Sequence, residues 1–220
     1  MRKMYCTLDT ETVGGAATPK GFYHIGGLVH DRQGEVAAAF NLIIAELFEE
    51  IRDDDYAKRN FDRYAEMVAT GEATMVDTED TAIELIDKLC DFYEVGTMAA
   101  FNSGFDFGKT KAAALIEDRE FIDLYLAAAE TIGQRKKYAR FCRENGLCSR
   151  NGRNIAMSAQ SFYAFLISDP EYREEHTALE DAKIELEIFN SIVKTHQKFS
   201  RNLTFYDAHN WGLLVPMREG

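Results

Sequence analysis

MYCTLDTE, residues 4–11, is an apolar, β-prone run that ends in two carboxylates, Asp9 and Glu11. Side chains two positions apart in a strand point to the same face, so we expect both acids on one side of the strand. Two carboxylates held this close repel each other unless a cation neutralises them. The stretch therefore predicts a strand that presents a candidate metal-binding pair.

The spacing Asp-x-Glu is common in this acidic chain, which carries 37 Asp and Glu residues against 25 Lys and Arg residues. It occurs four times, beginning at Asp9, Asp77, Asp118 and Asp169, where chance predicts about one or two pairs. The three later pairs lie in polar segments that are typical of solvated surface. Only the position at the end of an apolar strand distinguishes the first pair.

Two further acids occupy positions that favour a shared site. Asp106 follows the short apolar run 95–101, although an aspartate after a strand is most often a helix N-cap. His176 and Asp181 form the only His-x4-Asp spacing among the five histidines, where chance predicts roughly a third of one. The imidazole then lies at the entry to a helix whose next turn carries the carboxylate.

The periodicity of apolar residues predicts three strands, then helices, another strand and mostly helices. The predicted strands are 4–8, 22–29, 35–44 and 95–101, with a turn at 31–34. Helices are expected at 56–71, at 82–92 with a capping box from Thr81 and Glu84, at 107–116, 124–145, 158–167 and 179–193. This order indicates an α/β fold with a mixed sheet flanked by helices.

Charge and cysteine content restrict the class of protein. The net charge of −12 is unusual for a nucleic-acid binder, but Arg135, Lys136, Lys137, Arg140, Arg143, Arg150 and Arg153 form a basic segment with the single acid Glu144. That segment is either a phosphate-binding surface or a solvated helix face. Four scattered cysteines, no leader-like core and no apolar run near the roughly 20 residues of a membrane span predict a cytoplasmic protein without a membrane segment.

Three segments together resemble the three exonuclease motifs of the DEDDh (DnaQ-like) 3′→5′ exonuclease family. They are LDTET at 8–12, Asn102-x-x-Phe105-Asp106, and HTALEDA at 176–182. The family includes the proofreading subunit of bacterial replicative DNA polymerase, ribonuclease T and oligoribonuclease. The resemblance implies a ribonuclease-H-like fold with a mixed five-stranded sheet flanked by helices, in which 121–124 matches a short strand. We expect an exonuclease domain at 1–195 and a C-terminal extension at 196–220.

The resemblance also implies the chemistry. Asp9, Glu11, Asp106 and Asp181 would hold two Mg²⁺ or Mn²⁺ ions, and His176 would act as general base. The expected reaction is release of nucleoside monophosphates from the 3′ end of single-stranded nucleic acid, with DNA favoured over RNA.

The substrate is expected to contact residues next to the acidic positions and on the basic segment. These are Thr10, Thr12, Asn102, Arg135, Lys136, Lys137 and Arg140. The chain departs from many relatives at Phe101, where they have a histidine, and at His24, where they have an acid. The expected partner is nucleic acid with a free 3′ end, with a homodimer or recruitment by a replication or repair protein as the assemblies considered.

Three other interpretations remain open at the level of sequence. A non-catalytic module could keep the fold and bind nucleic acid or a partner protein. A ribonuclease-H-like endonuclease or transferase would share the carboxylates without needing His176. A plain acidic domain, with Asp106 as a helix cap, would require three ordered motifs to be coincidence.

Overall fold

The computed structural model describes residues 3–14, 20–54, 57–148 and 154–195. Arg150 and Arg153 of the basic segment lie outside these residues, as does the predicted extension 196–220. The described strands are β1 (Met4–Val13), β2 (Gly21–Asp31), β3 (Val36–Ile44), β4 (Thr74–Val76), β5 (Val95–Ala100) and β6 (Glu120–Asp123). The described α-helices are α1 (Ala45–Phe48), α2 (Phe61–Thr70), α3 (Glu79–Phe92), α4 (Ser103–Lys109), α5 (Leu124–Thr131), α6 (Lys136–Glu144), α7 (Ala159–Ile167) and α8 (Ala178–Thr195). Short 3-10 turns cover Glu49–Arg52, Ala57–Asn60 and Lys111–Ile116.

The strands form one mixed sheet in the order β4-β3-β2-β1-β5-β6. Strand β2 runs antiparallel to β1 and β3, whereas β5 runs parallel to β1 and β6 runs parallel to β5. Because β1 and β5 are adjacent and parallel, their carboxyl ends lie at the same edge of the sheet. The residues that follow these two strands are therefore brought together.

Helices cover both faces of the sheet. Buried side chains of α5, α6, α7 and α8 pack with Tyr5, Leu28 and Ala99 on one face. Buried side chains of α3, α4 and the turn Lys111–Ile116 pack with Leu8 and other strand residues on the opposite face. The residues buried on these two faces are predominantly apolar, and their removal from water is the main stabilising contribution.

Gly26 allows α8 to lie unusually close to the sheet. This glycine pairs with Asp9 across the β1–β2 ladder, and a Cβ atom there would lie 2.3 Å from the backbone nitrogen of Leu179. Any larger residue would force the start of α8 away from the strands. The missing side chain therefore brings the first turn of α8, which carries Asp181, next to Asp9.

The predicted mixed α/β sheet is confirmed, with one strand more than expected. The additional strand, β4, has three residues and pairs in parallel with the end of β3. So short a segment carries no usable periodicity, and its conformation depends on a partner strand about thirty residues earlier in the chain. The short strand predicted at 121–124 is present as β6.

Three helix predictions were wrong in detail. The expected helix 124–145 is two helices, α5 and α6, separated at Gly133, where a Cβ would lie 2.6 Å from the carbonyl oxygen of Ala129. The expected helix 107–116 is α4 followed by a 3-10 turn, because Thr110 is extended and its hydroxyl caps Ala112. The N-cap of α3 is Thr78 rather than Thr81, and its hydroxyl accepts from the Thr81 backbone N–H at 3.1 Å.

Two predictions from composition can be compared with the described residues. All four cysteines carry free thiols in the structure. None of the described helices combines the length and the apolar character needed to cross a bilayer.

Candidate active site

The five motif residues lie at the edge where β1 and β5 end. Asp9 and Glu11 are two positions apart in β1, and Asp106 lies in the first turn of α4, shortly after β5. Asp181 lies in the first turn of α8, and His176 precedes that helix in a loop. Residues from the two ends of the sequence therefore meet at one edge of the sheet.

Glu11, His176 and Asp181 form a compact group of potential ligands. Each offers one ligand atom, and these atoms all lie within 4.8 Å of one another. Carboxylate oxygens are the donors that Mg²⁺ and Mn²⁺ prefer. The group has the size and chemistry of a divalent-cation site.

Asp106 is held by Thr10 rather than acting as a helix cap. Its Oδ1 accepts a hydrogen bond from the Thr10 hydroxyl at 2.6 Å and from the Thr10 backbone N–H at 3.1 Å. The N-cap of α4 is Asn102, which has a left-handed backbone (φ 64°). The N-cap interpretation of Asp106 is therefore wrong, and the side chain points back towards β1.

The carboxylates of the site all retain their protons more strongly than usual. Burial, followed by the charge of Asp106, raises the pKa of Asp9 well above its ordinary value and that of Glu11 to about 7. Burial raises the pKa of Asp106 to about 7, and burial followed by Glu174 raises that of Asp181 to about 8. In the described part of the chain, no Lys or Arg forms an ion pair with any of these four acids. The site is therefore a concentration of negative charge that favours a bound cation.

The backbone of the loop that carries His176 is held by residues that precede α2 or lie within it. The residue is exposed and has a left-handed backbone (φ 53°), a conformation that costs about 1–3 kcal/mol for a residue other than glycine. Its carbonyl oxygen accepts from the Tyr64 hydroxyl at 2.9 Å and from Asn60 Nδ2 at 3.2 Å. The Arg63 guanidinium pairs with the carboxylate of Glu175 and also donates to its carbonyl. These contacts compensate for the backbone strain.

Tyr64 itself is fixed by aromatic neighbours. It is fully buried, its hydroxyl lies 3.2 Å from that of Tyr23, and its ring packs edge-on against His24 with centroids 5.1 Å apart. Tyr64 belongs to the segment 46–80, which is rich in acids. Part of that segment positions the loop that carries His176.

His24 connects the sheet to the start of α8. Burial lowers the pKa of His24 to about 4, so its ring is neutral near pH 7. Its Nδ1 accepts from the backbone N–H of Ala178 at 3.3 Å, which leaves Nε2 to donate to Asn41 Oδ1 at 2.6 Å. The sequence showed His24 only as a departure from the family, and the structure assigns it a helix-capping contact.

The residues expected to contact the substrate fall into two groups. Thr10 is buried and its hydroxyl is engaged with Asp106, whereas Thr12 and Asn102 are half-buried at the ends of β1 and β5. On α6, the side chains of Lys136, Lys137 and Arg140 are exposed, and Arg135 is partly exposed at the N-cap. The structure therefore places the basic side chains on a solvent-facing surface.

Base stacking needs an exposed aromatic ring, and Phe22, Tyr23 and Phe105 differ in exposure. Phe22 and Tyr23 are at most 1% exposed. Phe105 is half-buried, with the Lys109 ammonium group 5.8 Å from its ring centroid. Phe22 and Tyr23 are therefore excluded as base-stacking surfaces in this conformation.

One buried acid of the site escaped the sequence analysis. Glu185 lies four residues after Asp181 on α8, is 2% exposed, and acts electrostatically on Asp9. The spacing of four could have indicated that both acids share a helix face. The many other charges on α8 concealed that signal.

The fold and the acidic site together define an α/β protein of ribonuclease-H-like architecture with a candidate metal centre. The chain is similar to cell-death related nuclease 4 (CRN-4), with a TM-score of 0.52 and 12% identity over 88% of this chain and 64% of that one. It is also similar to the zinc-bound complex of E. coli ExoI with single-stranded DNA, with a TM-score of 0.48 and 15% identity over 90% of this chain and 41% of that one. The chain thus spans less than two thirds of either structure. No protein-family model and no curated protein matches the sequence.

These similarities bear on the fold. The identity to both structures is low, so the similarity to CRN-4 supports the shared architecture and no more. The fold expected from the DEDDh resemblance is confirmed. The catalytic roles of the five motif residues stay a prediction.

Proposed function

We propose that this protein is a metal-dependent 3′→5′ exonuclease of the DEDDh type that releases nucleoside monophosphates from single-stranded nucleic acid, with DNA preferred to RNA. The observation that carries the proposal is the convergence of Asp9, Glu11, Asp106, Asp181 and His176 at one sheet edge. These are the residue types that the family uses, in the same order along the chain.

The residues fit the divalent cations that this function requires. Oδ1 of Asp181 is buried without a hydrogen-bond partner among the described residues, and burial keeps the pKa of Glu11 and of Asp181 raised. A buried carboxylate oxygen without a donor is destabilising unless a cation or a proton satisfies it. The donor set consists of hard oxygen ligands, which suits two Mg²⁺ or Mn²⁺ ions.

By the resemblance, the four carboxylates and the imidazole have distinct tasks. Asp9, Glu11, Asp106 and Asp181 would together hold the two ions. The ions supply charge neutralisation on the leaving oxygen and a more acidic water. His176 would remove the proton of that water, and its exposure leaves the imidazole accessible to solvent.

The basic surface of α6 is the proposed support for the strand that leads into the site. Lys137 and Arg140 are exposed, while Tyr138 and Cys142 of the same helix are buried and fix its orientation. Reversing the charge at both positions should weaken binding and reduce its dependence on salt, because fewer counterions are released. The matched control is Lys88→Glu on α3, which packs on the opposite face of the sheet. An unchanged salt dependence would exclude this surface.

The function is tested by degradation of 3′-labelled single-stranded DNA, duplex DNA and RNA with Mg²⁺ or Mn²⁺. We expect release of mononucleotides from linear single strands, none with EDTA, none from Asp9→Ala, and a loss of about 10²–10⁴-fold for His176→Ala. Cleavage of a circular single strand would instead indicate an endonuclease. Binding without any product, in a protein that binds Mn²⁺, would indicate a non-catalytic module.

The biological setting remains part of the proposal. Light scattering with and without a DNA strand would test a homodimer, and capture with replication or repair proteins would test recruitment. The cytoplasmic location and the domain boundary at residue 195 stay predictions.

A further inference from the structure

Two buried histidines lie on the same face of β2, and α8 covers both of them. His24 and His30 are an even number of residues apart, so strand alternation places their side chains on one side of the sheet. Both residues are 0% exposed. His24 meets the start of α8 at Ala178, whereas the ring of His30 packs edge-on against Phe189, further along the same helix, with centroids 5.0 Å apart. Of the two, only His24 contacts the end of α8 that lies at the candidate active site.

The hydrogen bonds around His24 fix which of its ring nitrogens carries the proton. The carbonyl oxygen of Glu72 can only accept, so the Asn41 amide turns Nδ2 towards it at 2.9 Å and leaves Oδ1 for His24. That oxygen accepts from Nε2–H of the imidazole at 2.6 Å. Nδ1 is then unprotonated and accepts from the backbone N–H of Ala178 at 3.3 Å. The acceptor on one side of the ring and the donor on the other require the same tautomer.

The N–H of Ala178 depends on this acceptor because it belongs to the first turn of α8. The N–H groups of a first helical turn have no partner within the helix, and Ala178 is 0% exposed, so water has little access to it. The same turn carries Asp181, whose backbone N–H donates to the carbonyl oxygen of Thr177 at 2.9 Å. The hydrogen bond to His24 therefore holds the turn on which a proposed metal ligand lies.

His24 also contacts the residue that supports His176. The Tyr64 hydroxyl donates to the His176 carbonyl oxygen at 2.9 Å, and the Tyr64 ring packs edge-on against the imidazole of His24 with centroids 5.1 Å apart. Ala178 lies just after His176 in the chain. One buried imidazole thus touches both supports of the segment 176–178, the first through its Nδ1 atom and the second through its ring.

We propose that His24 is a positioning residue of the candidate active site, and that its Nδ1 atom, by holding the start of α8, sets the positions of the His176 imidazole and the Asp181 carboxylate. The inference rests on the proposed function. A displacement of about 1 Å in a reacting group can lower a rate about 10²-fold. The ring therefore contributes through a hydrogen-bond acceptor at one defined atom as well as through the space that it fills.

Asparagine and glutamine at this position separate the contributions of the two ring nitrogens. The side-chain oxygen of asparagine lies as many bonds from Cα as Nδ1 does, so His24→Asn keeps an acceptor for the Ala178 N–H. The terminal amide of glutamine corresponds to Nε2, so His24→Gln keeps the contact with Asn41 and loses that acceptor. Glutamine also fills more of the volume of the ring, so a role in packing alone favours glutamine over asparagine.

Each variant is made in the full 220-residue chain. Tm, kcat on 3′-labelled single-stranded DNA and Mn²⁺ affinity are measured, with free Mn²⁺ followed by electron paramagnetic resonance. We expect kcat to fall about 10²-fold in His24→Gln and less than about tenfold in His24→Asn, although the smaller asparagine gives the lower Tm. Mn²⁺ affinity should fall about tenfold in His24→Gln and stay near that of the unaltered chain in His24→Asn.

His30→Gln is the matched control, because His30 lies on the same strand face, is equally buried and packs on the same helix. Its Tm should fall, while kcat and Mn²⁺ affinity stay unchanged. Equal kcat in His24→Asn and His24→Gln would overturn the proposal. A loss of kcat in His30→Gln as large as in His24→Gln would also overturn it, since either result is the one expected from packing alone.

The protonation of the ring gives a test that does not depend on activity or on the folding of a variant. In the unaltered protein labelled with ¹⁵N-histidine, long-range proton–nitrogen correlations at neutral pH should show His24 with Nε2 protonated and Nδ1 unprotonated. The signals of His24 are those that disappear in His24→Asn or in His24→Gln. A protonated Nδ1 would overturn the proposal, because that atom could not accept from the Ala178 N–H.

Failure of the proposed function is distinguishable from failure of this inference. If the unaltered chain binds Mn²⁺ and releases no nucleotide, the function falls, and the inference holds where His24→Gln binds Mn²⁺ more weakly than His24→Asn. If the chain degrades DNA and the two variants have equal kcat, the function stands and the inference falls. If the unaltered chain binds no Mn²⁺, both are overturned.

Discussion

Asp181 and His176 are five residues apart in the chain, yet they are held in different ways. Asp181 lies in the first turn of an 18-residue helix that packs on β1 and β2, with Gly26 permitting the close approach. His176 lies in an exposed loop with a left-handed backbone, and Tyr64 and Asn60 hold its carbonyl oxygen. The proposed metal ligands are thus fixed by helices and strands, and the proposed base is fixed by contacts from outside its own segment.

This difference separates two requirements of the reaction. Cation binding needs carboxylates at constant positions, which rigid elements provide. Proton removal needs an imidazole that meets water and substrate, and a supported loop leaves that side chain accessible. Substitutions at Asp9 and at Tyr64 should therefore impair different steps, the first cation binding and the second proton removal.

The largest effect is expected when a ligand from the rigid part is removed. Asp9→Asn should lower exonuclease activity by at least about a thousandfold, or roughly 4 kcal/mol in the barrier, and should also weaken Mn²⁺ binding. The control is Asp118→Asn, which alters another Asp-x-Glu pair at an exposed residue. Activity within tenfold of the unaltered chain would remove Asp9 from the site.

The second effect concerns the empty carboxylate cluster. The pKa values of Glu11, Asp106 and Asp181 are about 7, 7 and 8, against ordinary values of 4.5, 3.8 and 3.8. Between pH 4 and 8 (roughly) the folded protein then binds more protons than the unfolded chain, so stability is highest at the acidic end and falls as pH rises. Each group contributes up to about 1.4 kcal/mol per pH unit.

Thermal unfolding in EDTA measures this directly. Tm is measured at intervals of about one pH unit, and we expect it to fall from pH 5 to pH 8. Saturating Mn²⁺ should raise Tm again at the alkaline end of this range. A Tm in EDTA that rises across this range would contradict the raised pKa values.

The third prediction concerns the hydrogen bond by which Tyr64 supports the loop that carries His176. Tyr64→Phe removes only the hydroxyl that donates to the His176 carbonyl, a hydrogen bond worth about 1 kcal/mol. We expect kcat to fall about five- to tenfold, with Mn²⁺ affinity unchanged. In a His176→Ala background the same substitution should have no further effect, because the base it positions is absent. Additive losses would show that Tyr64 acts elsewhere.

The smallest effect is expected at the second donor. Asn60→Ala removes the longer contact of 3.2 Å to the same carbonyl, at a half-exposed side chain where water can replace the amide. A two- to threefold lower kcat, or about 0.5 kcal/mol, is expected, and Tm should be unchanged. An effect larger than that of Tyr64→Phe would reverse the ranking of the two supports.

The parts that were predicted correctly depend on short-range patterns. Asp9 and Glu11 share a face because strands repeat every two residues. The strands predicted at 4–8 and 95–101 are both present, but β1 continues to Val13 and so contains the two acids instead of ending before them. The resemblance of three local motifs was sufficient to anticipate the mixed α/β sheet. Each of these signals lies within about seven residues of the chain.

The wrong predictions concern features that depend on contacts between residues far apart in the chain. Strand β4 exists because β3 pairs with it, and the break at Gly133 depends on how α5 and α6 pack on the sheet. The support of His176 joins residues 112 positions apart. Local periodicity carries no information about contacts at that separation.

The five motif residues, their order and the α/β architecture can be inferred from the amino-acid sequence alone, because they follow from residue type and short spacing. Which other side chains serve the site depends on long-range packing. Tyr64 supports the loop of His176, His24 caps α8, and Glu185 is buried one helical turn after Asp181. In a chain with 37 acids, an inward-facing glutamate is indistinguishable from a surface one until packing sets its burial, and burial is what raises its electrostatic effect.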